Sequence, residues 1–239
     1  MTDLQIKIFA DGADISEMIK CHQEGIVSGF TSNPTLMRQA GVKSYEGFAK
    51  EALEAIPDAP ISFEVFSDDF PDMRRQALKL NAMGENVYVK IPITNTKSES
   101  SIPLIKELTE EGVKVNVTAI MTSDQVVDLC DKGLSGKVPN IVSVFAGRIS
   151  DTGRNANDTM RKAVLEASYY KIKDSTEILW ASTRQAYDII DAQSCGCDII
   201  TVPTSILKKL SLFGKDLNEF SLETVKMFYK DATEAGYEL

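Results

Sequence analysis

Lys90 lies in the run Asn86-Val87-Tyr88-Val89-Lys90-Ile91-Pro92-Ile93-Thr94, with apolar residues close on both sides. Such a run reads as a short strand buried on both faces, as in a parallel sheet. An ammonium group there must find a partner or lose its proton. A lysine whose pKa is pulled down is a nucleophilic amine that condenses with a carbonyl to form a Schiff base. The plainer alternative is a strand-end lysine whose stem is covered and whose charge reaches solvent. The rest of the chain supplies what Schiff-base chemistry needs. Carbinolamine formation and dehydration require a carboxyl group to shuttle protons, and Glu64 falls in the apolar run just before that of Lys90. A second carboxylate, Asp11, suits removal of a proton from a substrate hydroxyl, which triggers carbon–carbon cleavage. Asn33 and Asn116 suit the hydroxyl groups of a polyol because they add no charge. Arg148, Ser182 and Arg184 have the chemistry of an anion site.

These residues are far apart in sequence, so a repeated architecture must bring them together. Short apolar runs recur at 5–10, 27–30, 61–66, 87–91, 114–118, 141–145, 177–181 and 198–202, each followed by a helical pattern. Segments 69–83, 100–111, 123–132 and 159–171 carry apolar residues at helical spacing. Strand–helix alternation implies parallel strands, and eight such units in about 210 residues predict a single (β/α)8 TIM barrel spanning 1–239. A doubly wound open sheet is the runner-up, but Asp11-Gly12-Ala13-Asp14 is not the Gly-rich turn expected after its first strand. In a barrel of this kind the active site forms at the carboxyl ends of the strands. The ends present Asp11, Thr31 to Pro34, Glu64, Lys90, Asn116 with Thr118, Ser143 with Arg148, and Ser182 with Arg184. Asn116 and Thr118 are two apart and face the same way. Asp11 could instead cap a helix starting near Asp14, and Ser182 one starting near Arg184. Taken together around a buried lysine, they predict one polar cavity for aldol cleavage or transfer on a phosphorylated keto sugar. Beyond the barrel, a short helix is expected over 205–210. A further helix over 217–234, within an extension at about 215–235, puts Leu222, Val225, Phe228, Tyr229 and Ala232 on one stripe. That stripe either covers the barrel's own surface or docks on a neighbouring subunit.

Composition narrows the function classes. The 239 residues are 43% hydrophobic and 26% charged, as in one soluble domain with a large core. A net charge of −9 and a pI near 4.8 argue against a nucleic-acid partner, because phosphate backbones repel an acidic surface. No apolar stretch approaches bilayer length, so no membrane partner is expected. The segment Met1-Thr2-Asp3-Leu4-Gln5 lacks the features of a signal peptide, so the expectation is a cytoplasmic protein. Cys195-Gly196-Cys197 has no second cysteine pair, and the single histidine, His22, reads as a surface residue on the helical stretch 14–24. The cysteines therefore read as small hydrophobes, and no metal is expected.

Four segments resemble those of one family. Gly29-Phe30-Thr31-Ser32-Asn33-Pro34-Thr35-Leu36 resembles the Thr-(Ser/Thr)-Asn-Pro signature of transaldolases. Val87-Tyr88-Val89-Lys90-Ile91-Pro92 is similar to their Schiff-base lysine segment, and Phe145-Ala146-Gly147-Arg148-Ile149 to their phosphate-arginine segment. Trp180-Ala181-Ser182-Thr183-Arg184 is similar to their Ala-Ser-Phe-Arg segment. The resemblance implies transfer of a dihydroxyacetone unit from fructose 6-phosphate or sedoheptulose 7-phosphate to erythrose 4-phosphate or glyceraldehyde 3-phosphate, the chemistry of the pentose phosphate pathway. It implies that Lys90 carries the enamine, that Glu64 works with a Thr118-held water, and that Asp11 handles the hydroxyl proton at the bond that breaks. It further implies that Asn33 and Asn116 hold the dihydroxyacetone hydroxyls, with Thr31, Ser143 and Phe145 in the same site, and that Arg148, Ser182 and Arg184 take the phosphate. No cofactor is implied.

The length resembles the small branch of that family, whose sister enzymes are fructose-6-phosphate aldolases that release free dihydroxyacetone. Those aldolases tend to carry glutamine in place of Glu64 and tyrosine in place of Phe145; both residues here resemble the transaldolase choice. Thr183, where phenylalanine is usual, and the polar loop 95–101 depart from the pattern and bear on the acceptor. The small branch also forms rings and stacks in which the last helix embraces a neighbour, so a homo-oligomer is expected. The rivals are an aldolase acting on the same donor and a silent sugar-phosphate-binding barrel. A transaldolase for another anionic ketose, such as a sulfosugar, fits two arginines equally well.

Overall fold

The computed structural model describes residues 4–170 and 172–239. The first three residues, on which the leader reading partly rests, and Lys171, at the end of the 159–171 helical segment, lie outside the described residues. Eight strands form the fold's centre: β1 (Lys7–Asp11), β2 (Gly29–Thr31), β3 (Ile61–Glu64), β4 (Val87–Pro92), β5 (Val115–Ile120), β6 (Asn140–Val144), β7 (Thr176–Trp180) and β8 (Ile199–Pro203). Each pairs in parallel with the next in sequence, and β1 pairs with β8, closing the barrel. The helices are α1 (Ile15–Gln23), α2 (Pro34–Gln39), α3 (Tyr45–Ala55), α4 (Phe70–Asn81), α5 (Ile102–Glu110), α6 (Ser123–Lys132), α7 (Ala146–Asp151), α8 (Ala156–Tyr169), α9 (Asp188–Ser194), α10 (Thr204–Leu207) and α11 (Leu217–Ala235).

Two apolar clusters hold the barrel. The larger packs the outward faces of the strands against the helices, through residues such as Val89, Ile91, Val115 and Val117. The smaller fills the barrel interior with Phe9, Ile141, Leu179, Ala181 and Ile199, flanked by Tyr88 and Phe145. Strand alternation explains the division, since residues two apart share a face. Gly29 is required beside this plug. A Cβ there would stand 2.6 Å from the Phe9 ring.

Helix starts decide which polar residues are left over for chemistry. Asp14, not Asp11, caps α1, its carboxylate accepting from Glu17 N at 2.9 Å, so Asp11 stays free. After β7 no helix begins near Arg184; residues 181–187 form a loop and α9 starts at Asp188. Ser182 therefore caps nothing. It sits at φ +65°, in the left-handed region. Strand β5 runs past Thr118 to Ile120 through a register shift against β6, with Ala119 at φ +60°.

The remaining differences are peripheral. His22 is half-buried rather than a plain surface residue, 3.0 Å from Asp58 and edge-on to Phe30. Cys130, Cys195 and Cys197 are buried within the apolar core. The last helix does not cover its own barrel. No residue of α11 is buried, and Val225, Phe228 and Tyr229 are 60%, 62% and 76% exposed. Among the described residues no helix is long and apolar enough to cross a membrane.

Candidate active site

The register of the barrel brings the dispersed polar residues together. Glu64 pairs with Lys90 across β3 and β4, Lys90 with Asn116 across β4 and β5, and Asp11 with Thr31 across β1 and β2. At the carboxyl ends they open into a cavity of about 540 Å³. Asp11, Thr31, Asn33, Glu64, Lys90, Thr118, Ser143, Phe145, Arg148, Ser182 and Arg184 line it.

Lys90 is 6% exposed, which rules out the strand-end alternative of a charge in solvent. Its Nζ stands 3.3 Å from Glu64 Oε2 and donates to the Ser32 carbonyl at 3.3 Å. Burial pushes the Glu64 carboxyl above its ordinary value; the Lys90 charge pulls the other way and the Asp11 charge adds to the rise. Burial likewise pushes the Asp11 carboxyl up, opposed by Lys90 and by the Thr31 hydroxyl. Carboxyls raised in this way exchange protons more readily near neutral pH than ordinary ones, which suits acid–base work.

Each group is held from behind. The Thr31 hydroxyl donates to Asp11 Oδ1 at 2.8 Å and lies 2.5 Å from Thr201 Oγ1, so β1, β2 and β8 share one chain of hydrogen bonds. Tyr45, from α3, donates to the Glu64 carbonyl at 2.6 Å, and burial pushes its phenol well above the usual range. Asn33 caps α2 through Oδ1, which accepts from Leu36 N at 3.0 Å; its amide NH2 is the part left for a ligand. The Thr118 hydroxyl is buried with no hydrogen-bond partner among the described residues. A buried hydroxyl in a polar cavity satisfies itself through a water or a ligand.

Asn116 is the one predicted residue that does not line the cavity. It is fully buried a layer below, donating to Ser62 Oγ at 3.0 Å and accepting from Ser143 Oγ at 2.6 Å. Strand alternation leads Asn116 and Thr118 to the same face, but depth separates them. Only the residue nearer the strand end reaches the opening.

At the opposite wall stand the cations. The Arg148 guanidinium lies 5.7 Å from the centre of the Phe145 ring. Arg184 is bound to Asp151, its Nη2 2.7 Å and its Nε 3.0 Å from Asp151 Oδ2. Thr183, buried, donates to the Thr201 carbonyl at 2.7 Å and ties this loop to β8. Sequence reasoning missed Thr201, Ser62 and Tyr45. Thr201 and Ser62 had a signal, each a lone polar residue inside an apolar run; Tyr45 had none, because its target is a backbone carbonyl.

Residues 8–239 match the family described as Transaldolase/Fructose-6-phosphate aldolase. A probable transaldolase of Thermoplasma volcanium is 34% identical over 207 residues, 86% of this chain and 87% of its own length. One from Methanococcus maripaludis is 34% identical over 218 residues, covering 91% and 94%, and one from Alkaliphilus metalliredigens 33% over 226, covering 95% and 97%. The chain belongs to the transaldolase/fructose-6-phosphate aldolase family. Solved structures share the fold at low identity. The flavin-binding domain of baker's yeast flavocytochrome b2 has a TM-score of 0.57 at 13% identity, over 88% of this chain and 59% of that one. A putative dihydrodipicolinate synthase family protein from Coccidioides immitis has a TM-score of 0.58 at 14% identity, over 92% and 76%.

Proposed function

We propose that this protein is a Schiff-base transaldolase that moves a dihydroxyacetone unit from a ketose phosphate, such as fructose 6-phosphate or sedoheptulose 7-phosphate, to an aldose phosphate. The observation that carries this reading is the buried Lys90 amine 3.3 Å from a Glu64 carboxylate whose pKa is raised by burial. The amine adds to the ketone carbon, and Glu64, through a water held at Thr118, protonates the hydroxyl that leaves as the imine forms. Asp11 takes the proton from the substrate hydroxyl on the far carbon of the bond that breaks, the carbon that becomes the aldehyde. The electron pair of that bond moves into the imine, giving an enamine on Lys90 and releasing an aldose phosphate. The enamine then attacks an acceptor aldehyde and the steps run in reverse. Asn33 and Ser143 hold the hydroxyls of the three-carbon unit, Asn116 fixes Ser143 from below, and Arg148, Ser182 and Arg184 bind the phosphate.

Phe145 favours transfer over release. A phenol at this wall could protonate the enamine, whereas a phenyl ring leaves it for an acceptor. Incubation with fructose 6-phosphate, with and without erythrose 4-phosphate, tests the reading. Glyceraldehyde 3-phosphate is expected only when the acceptor is present. Steady release without acceptor makes the protein an aldolase, and no product either way ends the reading for this substrate.

A homo-oligomer is part of the same proposal. The exposed apolar side chains of α11 are the surface that supports it, because a contiguous patch of this kind marks an interaction site. Sedimentation of a monomer at micromolar concentration would refute it.

A further inference from the structure

The two cavity arginines are held by different means, and Asp151 holds one of them. Phe145, Arg148 and Asp151 are spaced by three along α7 and its first flanking residue, so they lie on one side of that helix. Helix α7 packs against the loop after β7. Gly147 N donates to the Ala181 carbonyl at 3.3 Å, and a Cβ on Gly147 would stand 1.6 Å from the Ser182 carbonyl oxygen. That approach brings Asp151 within reach of Arg184, whose stem passes 3.2 Å from the same Cβ position. Asp151 takes the side of the guanidinium, through Nε and Nη2. A guanidinium has five N–H donors, so a side-on carboxylate leaves both Nη1 protons and one on Nη2 free. These form the end-on pair that suits a tetrahedral oxyanion.

We propose that Asp151 is a positioning residue that orients Arg184 on the cavity wall, with its free donors turned to the anionic group of the substrate. This rests on the reading of the site as one for phosphorylated sugars. Asp151 touches no reacting atom, so its effect falls on anion binding and not on the chemistry at Lys90. The pair is about half exposed on both sides, 47% and 53%, so breaking it costs the fold little. The Arg184 side chain, freed to sample other rotamers, then binds the anion less often.

Asp151→Asn tests this. The KM for fructose 6-phosphate is expected to rise roughly tenfold while kcat changes by less than about twofold, and the KM for unphosphorylated fructose is expected to stay constant. Asp151→Glu, which keeps the charge, should recover part of the loss. Calorimetric titration with inorganic phosphate reads the same effect without turnover, and weaker binding to Asp151→Asn than to the parent is expected. Equal phosphate affinity, or a KM that rises alike for both sugars, overturns the proposal; tighter phosphate binding overturns it too, by making Asp151 a competitor for Arg184. Failure of the catalytic reading is seen separately, as absence of borohydride-trapped dihydroxyacetone on Lys90 in the parent protein.

Discussion

The lower and upper halves of the barrel interior are built by the same strands and do opposite things. Below, Phe9, Ile141, Leu179 and Ile199 interlock around the space that Gly29 leaves. Two residues further along three of these strands, the inward positions are Asp11, Ser143 and Thr201, joined by Thr31, Glu64 and Lys90. The plug gives the polar layer an apolar floor. The polar layer accepts the cost of burying charges because each has a partner: Lys90 has Glu64 and a carbonyl, and Asp11 has the threonine chain. Stability lives in the lower layer and chemistry in the upper one, about two residues apart.

Substitutions can break that separation. The largest effect is expected from Lys90→Ala, which should abolish turnover and borohydride trapping while the circular dichroism spectrum stays that of the parent; residual turnover at a substantial fraction of parent would remove Lys90 from the mechanism. Glu64→Gln comes next, with kcat slowed by about 10²–10⁴-fold in a steady-state assay. Near-normal turnover would show that the raised carboxyl has no proton to move.

Gly29→Ala probes the floor from the other side. Overpacking against Phe9 should cost about 1–3 kcal/mol, read as a lower urea midpoint, with kcat little changed. A loss of activity larger than the loss of stability would mean that the floor sets the height of the catalytic layer.

The pH response sharpens the comparison further. The Asp11 pKa is raised in the folded state above 3.8, so the unfolded chain loses this proton first as pH rises. Its contribution to stability is full below about 3.8 and falls away as pH climbs through the folded value. Asp11→Asn removes that slope. Its stability relative to the parent should grow with pH across this window in urea titrations, and a constant difference would contradict the assignment. The smallest effect is expected at the lower rim, where Lys7 and Glu177 pair at 2.6 Å with much of both side chains exposed. Lys7→Ala should cost less than about 1 kcal/mol and leave activity unchanged.

Most of the cavity is legible in the sequence, because strand periodicity and strand ends place residues by counting. The sequence allows Asp11 either in the cavity or as a helix cap, and Asp14 decides between them by accepting from the Glu17 amide. The expected cap at Ser182 failed because the chain there turns through a positive φ before any helix starts. Asn116 shares a face with Thr118, and only the depth of the cavity floor keeps it out of the lining.

The amino-acid sequence alone determined the eight alternating units, the buried lysine and the order of the polar strand ends. Those follow from local periodicity and from the cost of burying charge. Tertiary structure alone decided which partners those residues hold. Glu64 meets Lys90 because β3 and β4 pair in that register. Thr31 links Asp11 to Thr201 because the barrel closes β8 onto β1. Asp151 reaches Arg184 because Gly147 lets α7 sit against the loop after β7. These are contacts between residues distant in sequence, and pairing register, barrel closure and close backbone approach set their geometry.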